Sequence, residues 1–276
     1  MIRQKVFLDT NICINVANET IPRDEWLKVR NHIGAHYSYQ ISFVTLKELL
    51  AKISRGKDDY VEQNKKPLRV LCEIHQRQFL PYPAVFALRT VLGLTVARRS
   101  PLHISEEELY ETVCEAVLQC SGKAQLKRGV PYPGMPRKRF SFDLDDFDKH
   151  ENGAQTEHVD LLQRMQAGSV EMSNVIELAA LLLRDCGQAP DAASCNLLAN
   201  ALNGAYAFSR NLGELSKNAH AKLERRETDW GDIMQLYYLC DESMHFLTCD
   251  EKCRDQTQGS AQKGRILLYK ELASSL

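Results

Sequence analysis

Nothing in this chain of 276 residues approaches the ~20 consecutive apolar residues of a membrane-spanning helix. The N-terminal stretch MIRQKVFLDT has too short an apolar run for a secretory signal. The expectation is a cytoplasmic protein with no membrane partner. Neither sign of charge dominates: 35 Lys and Arg face 36 Asp and Glu, for a net charge of −1. The molecule as a whole is therefore no electrostatic magnet for a polyanion. Any such site must come from a local patch or from bound metal. The nine cysteines are odd in number and show no disulfide framework, so they read as reduced and structural. Cys240, His245, Cys249 and Cys253 form the densest Cys/His group, but the paired Cys-x-x-Cys spacing usual for zinc is missing. No internal repeat is evident, and no convincing Ser/His/Asp or Cys/His triad. What remains is ordinary: 44% hydrophobic and 26% charged residues, enough for one large domain or two small ones.

The two ends of the chain carry an α/β pattern. Lys5–Asp9 contains a contiguous apolar run and reads as a buried strand. Thr10-Asn11 turns the chain, and a helix starts at Ile12. Trp26–Ile33 is amphipathic, and Tyr39–Val44 reads as a second strand. Thr45 is a good helix N-cap, with Glu48 at the capping-box position. Gln78-Phe79-Leu80 is a candidate third strand, ended by Pro81 and Pro83. Near the C-terminus, Asp232–Cys240 reads as a short helix, Met244–Thr248 as the last strand and Arg265–Leu276 as a closing helix.

The middle is mostly helical. Tyr82–Ala97 and Ser105–Gln119 read as helices, and Ser105 with Glu108 makes a capping box. Val130–Met135 reads as a loop. The stretches Glu157–Ala167, Met172–Asp185 and Ala192–Arg225 are helical, the last broken at Gly204 or Gly213. The predicted fold is a parallel β-sheet flanked by helices in three α/β/α layers. Its core comprises residues 1–56 and 226–276. Residues 57–225 form a mostly helical insertion, with part of the core expected near 78–97.

Four acids stand out. Asp9 ends the first strand. Glu48 follows the second. Asp232 opens a helix, and Asp250 follows the last strand. In an open α/β sheet such positions face the crevice at the carboxyl ends of the strands. Carboxylates converging there repel one another unless a cation sits among them. Oxygen ligation favours Mg²⁺ or Mn²⁺, and the usual task of such a site is metal-assisted attack of water on a phosphodiester. Three of the four acids also have a plainer reading. Asp9 and Asp232 could cap helices, and Glu48 could serve only Thr45. Recurrence of four acids at comparable places favours the joint metal site. Asp229 competes with Asp232, and Asp255 is a candidate for an outer role; both read as surface acids.

These motifs resemble the PIN-domain nuclease family. VFLDTNICI resembles its strand ending in Asp-Thr-Asn, with Asp9, Thr10 and Asn11. SFVTLKELL supplies the second acid, Glu48. DIMQLYYL is similar to the helix opened by the third acid, here Asp232. FLTCDEKC is similar to a strand ending in Thr-x-Asp, with Asp250. The 18 positions from Asp232 to Asp250 suit a short helix, a turn and a strand. The resemblance covers roughly the first 55 and last 50 residues. In compact members of the family the second and third acids lie much closer together than the 184 positions from Glu48 to Asp232.

The resemblance implies a Mg²⁺- or Mn²⁺-dependent nuclease, usually acting on single-stranded RNA. It implies that Asp9 and Asp250, with Asp232 as a further candidate, hold one metal while Glu48 shares or bridges to a second. Thr10 or Asn11 would hold a phosphate oxygen or a metal-bound water. A toxin-like or defence endoribonuclease is the leading function. A non-catalytic nucleic-acid or protein-binding module and a structure-specific DNA nuclease are the alternatives. RNA is favoured over DNA as partner. An inhibitory or activating protein and a homo-oligomer remain open. The cluster Arg137, Lys138, Arg139 and Phe140, with Lys127, Arg128 and Tyr132 nearby, could grip a phosphate backbone and stack a base. The competing reading is a solvated loop neutralised by the Asp143–Asp148 run.

Overall fold

The computed structural model describes residues 3–56, 61–74, 78–94, 105–132, 135–168, 175–218, 222–226 and 229–276. In chain order these form β1 (Lys5–Leu8), α1 (Thr10–Ala17), α2 (Arg23–His36), β2 (Ser38–Ile41) and α3 (Phe43–Arg55). Next come α4 (Val61–Asn64), α5 (Lys66–Cys72), β3 (Gln78–Phe79), α6 (Pro83–Leu92), α7 (Glu106–Gln119) and α8 (Lys123–Arg128). They are followed by β4 (Val130–Tyr132), β5 (Met135–Phe140), α9 (Leu144–Gln166), α10 (Val175–Asp185), α11 (Ala192–Ala201) and α12 (Asn203–Ser216). The chain ends with α13 (Asp229–Leu236), β6 (Met244–Thr248), α14 (Glu251–Gln256), β7 (Ile266–Leu268) and α15 (Tyr269–Ser274). The fold is mixed α/β: β1, β2 and β3 pair side by side in parallel, as do β6 and β7, with helices around them. Among the described residues, no helix is long and apolar enough to cross a membrane.

The chain forms two compact units. One comprises Lys5–Pro81, Arg98–Asn152 and Tyr269–Leu276, called here the N-terminal unit. The other, the C-terminal unit, comprises Met1–Gln4, Tyr82–Ala97 and Gly153–Leu268. In the N-terminal unit β3 pairs in parallel with β2, Gln40 opposite Gln78 and Ile41 opposite Phe79. Gln78 and Phe79 thus join the same set of strands as β1 and β2. Parallel strands are covered on both faces and read as contiguous apolar runs. Val6, Phe7 and Leu8 accordingly lie fully inside. Trp26, Val29 and Ile33 of α2 and Leu46, Leu49 and Leu50 of α3 are buried in the same unit, and α5 packs on α1, α3 and α7.

The C-terminal unit packs Val85 and Leu88 of α6 against Ala179 and Leu183 of α10 and Leu198 of α11. Its strands β6 and β7 pair in parallel, Phe246 opposite Ile266 and Thr248 opposite Leu268. The closing helix expected over 265–276 is therefore a strand and a short helix. Ile266-Leu267-Leu268 is the kind of contiguous apolar run a parallel strand prefers. The break expected at Gly204 or Gly213 falls at Leu202, between α11 and α12. The Ala201 carbonyl exposed by the break accepts a hydrogen bond from Gln262 Nε2 at 2.9 Å. Gly204 makes room for that side chain, because a Cβ there would stand 2.9 Å from Gln262 Cβ.

The proline-rich stretch expected as a loop is an antiparallel hairpin of β4 and β5, irregular at Pro131/Tyr132. Both strands of a two-stranded ribbon are edges, where proline is tolerated. The Ser105–Glu108 capping box forms as expected. The acidic run Asp143–Asp148 leads into the first turn of α9, which begins at Leu144.

Candidate functional site

In the N-terminal unit β1 delivers Asp9 to the start of α1. Asp9 is the N-cap residue, yet its carboxylate makes no capping hydrogen bond, and the residue is only 6% exposed. The plain helix-cap reading of this acid therefore lacks its usual contact. Glu48 is held close by. The Thr10 hydroxyl donates to Glu48 Oε2, joining the first turn of α1 to α3.

The start of α3 differs from expectation. Its N-cap is Ser42, whose Oγ accepts from the Thr45 N–H at 3.0 Å. Thr45 lies one turn in, and Glu48 is not its capping-box partner. Instead the Ser42 hydroxyl donates to Thr45 Oγ1 at 2.9 Å, and Thr45 Oγ1 donates to the Leu8 carbonyl at 2.7 Å. Leu8 immediately precedes Asp9. This buried relay bolts the end of β1 to the first turn of α3, and so fixes Asp9 and Glu48 on one local frame.

The electrostatics of the pair are unfavourable as they stand. The Glu48 carboxyl is pushed up to about 8, first by burial and then by repulsion from Asp9 and Glu151. The Thr10 hydrogen bond and Lys47 pull the other way. Glu151 is itself buried and pairs with Lys47 at 2.8 Å. It is a third acid that the sequence did not single out. It stands in α9, over 100 positions from Glu48, with no motif around it. Asn11 lies in the first turn of α1, partly buried.

The C-terminal unit treats its acids differently. Asp250 is the N-cap of α14, and Oδ1 accepts from the Lys252 N–H at 2.8 Å. Its own N–H donates to Thr248 Oγ1 at 2.9 Å. Asp232 lies in the first turn of α13, partly buried, while the helix itself opens at Asp229. Asp229, expected on the surface, is 2% exposed. It is neutralised by Lys252 Nζ at 3.0 Å and Arg226 Nη1 at 3.4 Å. The motif around it (Asp-Trp-Gly-Asp) could not tell which of the two acids would be buried. Asp255 is exposed.

Of the basic cluster, Arg139 donates from Nε and Nη2 to the Gly129 carbonyl at 3.2 and 2.5 Å, which ties the hairpin to its own start. The side chains of Arg137 and Lys138, like that of Tyr132, lie outside the described residues. Lys127 pairs with Asp143 at 2.9 Å and Asp145 at 3.4 Å, which neutralises part of the upstream charge.

The fit of a divalent cation can be judged on the donor set. Asp9 and Glu48 offer oxygen ligands, and repulsion is part of what holds the Glu48 proton on. A hard cation would reverse that effect and favour the ionised form. Among the described residues, no three His, Cys, Asp or Glu side chains stand grouped as a metal site. The residues that fit are thus a pair with a hydroxyl partner, Thr10.

No family model matches the chain, and neither does any curated protein or solved structure.

Proposed function

We propose that this protein is a Mg²⁺- or Mn²⁺-dependent phosphodiesterase of the PIN type, cutting single-stranded RNA as a toxin-like or defence effector. The observation that carries the reading is the Asp9–Glu48 pair. A buried aspartate at a strand end makes no cap bond, beside a glutamate whose carboxyl is pushed up to about 8. Two acids held in mutual repulsion by a rigid hydrogen-bonded frame are suited to a cation. A bound divalent ion would activate water and offset charge on the phosphate. The chain's own part is positional. Asp9 and Glu48 would hold the ion, and Thr10 would orient the Glu48 carboxylate through its hydroxyl. Asp232 and Asp250 enter the proposal from the sequence pattern, as do Asn11 and the Arg137–Arg139 cluster on the substrate side. RNA is preferred to DNA on the family resemblance alone.

The test is cleavage of labelled single-stranded RNA and single-stranded DNA with Mg²⁺, Mn²⁺ or EDTA. Wild type is compared with Asp9→Asn, Glu48→Gln and Asp250→Asn, and metal binding is followed by calorimetry. Metal-dependent cutting lost in all three variants supports the full acid set. Loss in the first two alone removes Asp250 from it. Metal binding with every substrate intact would favour the non-catalytic binding module, and a preference for flapped or branched DNA the structure-specific nuclease.

A further inference from the structure

The N-terminal unit brings two cysteines together that nothing in the sequence pairs. Cys72 is the last residue of α5 and Cys114 lies midway along α7. Their sulfurs stand 3.1 Å apart, although the residues are 42 positions apart in the chain. Cys114 is 1% exposed, whereas Cys72 is partly open to solvent. A small oxidant can therefore reach one sulfur, and the other already lies against it. Both thiols are reduced in the structure. Closing from 3.1 Å to the ~2.05 Å of a disulfide needs a shift of about 1 Å.

We infer that Cys72 and Cys114 form a reversible redox pair, with Cys72 as the peroxide-reactive thiol and Cys114 as the resolving one. In the first step the Cys72 thiolate attacks one oxygen of a hydroperoxide. The O–O bond breaks, Cys72 becomes a sulfenic acid, and for hydrogen peroxide the other oxygen leaves as water after protonation. In the second step the Cys114 sulfur, giving up its proton, attacks the Cys72 sulfur. The S–S bond forms, the S–O bond breaks, and the second oxygen leaves as water. Two thiols and one peroxide thus give one disulfide and two waters, the sulfurs losing the two electrons that the peroxide gains. A dithiol reductant reverses the bond by exchange. Cys13 of α1 is the neighbouring thiol. Burial, then Asp9 and Cys72, push its thiol well up, which keeps it protonated and a poor nucleophile. The bond would staple α7 to α5, the helix that packs on α1 and α3.

The experiment uses the full chain, reduced, desalted and treated with hydrogen peroxide. Free thiols are then alkylated without reduction, and peptides are mapped by mass spectrometry. The expected product is a Cys72–Cys114 cross-linked peptide that dithiothreitol abolishes. Closing a loop of this length should raise Tm by about 5 °C. Cys114→Ser should leave Cys72 trapped by dimedone as a sulfenic acid with no cross-link, and Cys13→Ser should keep the cross-link. Full alkylation of Cys72 and Cys114 after peroxide, or a cross-link joining a different pair, would overturn the assignment. The wild-type map decides the question by itself if a serine variant fails to fold. None of these readouts depends on nuclease activity.

Discussion

The two units handle buried aspartate in opposite ways. In the C-terminal unit Asp229 is locked between Lys252 and Arg226, and Asp250 gives an oxygen to the cap of α14. In the N-terminal unit Asp9 makes no cap bond, and the neighbouring carboxyl of Glu48 is pushed up by burial and by two other acids. Charges that serve the fold are paired or capped. A carboxyl pushed up by burial and by neighbouring acids costs stability when it ionises, and such groups cluster where chemistry is done. Exposure alone does not show the contrast, since Asp9 and Asp229 are both buried.

The sharpest way to break this comparison is cleavage. Asp9→Asn should lower metal-dependent phosphodiester cleavage by about 100-fold or more, roughly 2.7 kcal/mol of barrier, while Asp229→Asn in the soluble folded fraction should keep it within a few-fold. Equal loss in both would erase the distinction.

Next in size is a pH effect. Between about 4.5 and 8 the folded protein keeps a proton on Glu48 that the unfolded chain releases. Its contribution to stability is therefore full below the unfolded value and falls as pH rises toward 8, with a slope of up to one proton. Glu48→Gln should flatten that part of the pH profile in urea melts without metal. Mn²⁺ should raise Tm more at pH 8 than at pH 5, since the metal needs the ionised carboxylate. An unchanged profile in the variant would mean that Glu48 does not carry the proton.

The structural acid has the converse signature. Asp229→Asn should cost about 2–3 kcal/mol by leaving two cations without their carboxylate, less than a fully buried pair because Lys252 is partly solvated. Thermal unfolding with no loss of Tm would sink that view. The smallest expected effect is at the relay. Thr45→Val keeps the shape but leaves the Leu8 carbonyl without its side-chain donor, at about 1–2 kcal/mol. Denaturant midpoints check the size. A raised KM for Mn²⁺ would show that the relay positions the carboxylates as well as bracing the fold.

Much of the strand pattern was legible because contiguous apolar runs mark parallel strands. β1 over Lys5–Leu8, β3 at Gln78-Phe79 and β6 over Met244–Thr248 fell where such runs predicted them. Asp9 and Glu48 were legible for the same reason, as the acids that follow strands. Glu151 was not, because its neighbours in sequence carry no pattern and only the packing of α9 brings its charge to Glu48. Ser42 was hidden behind Thr45, an equally good cap by residue type; the choice was made by the Leu8 carbonyl, which needs the Thr45 hydroxyl. The Ile266–Leu268 strand was read as helix because three apolar residues have no decisive period.

The seam between α11 and α12 bears on the order in which the protein is made. Ala201 leaves the ribosome 61 positions ahead of Gln262, the side chain that closes it. Until that residue emerges, the Ala201 carbonyl lacks its Gln262 donor, and the two helices meet at an unsealed joint. Stalled nascent chains that still hold Gln262 inside the exit tunnel should therefore be nicked by protease near Leu202, and the released chain should be spared. Synthesis, in this view, leaves one door open behind it and shuts it late.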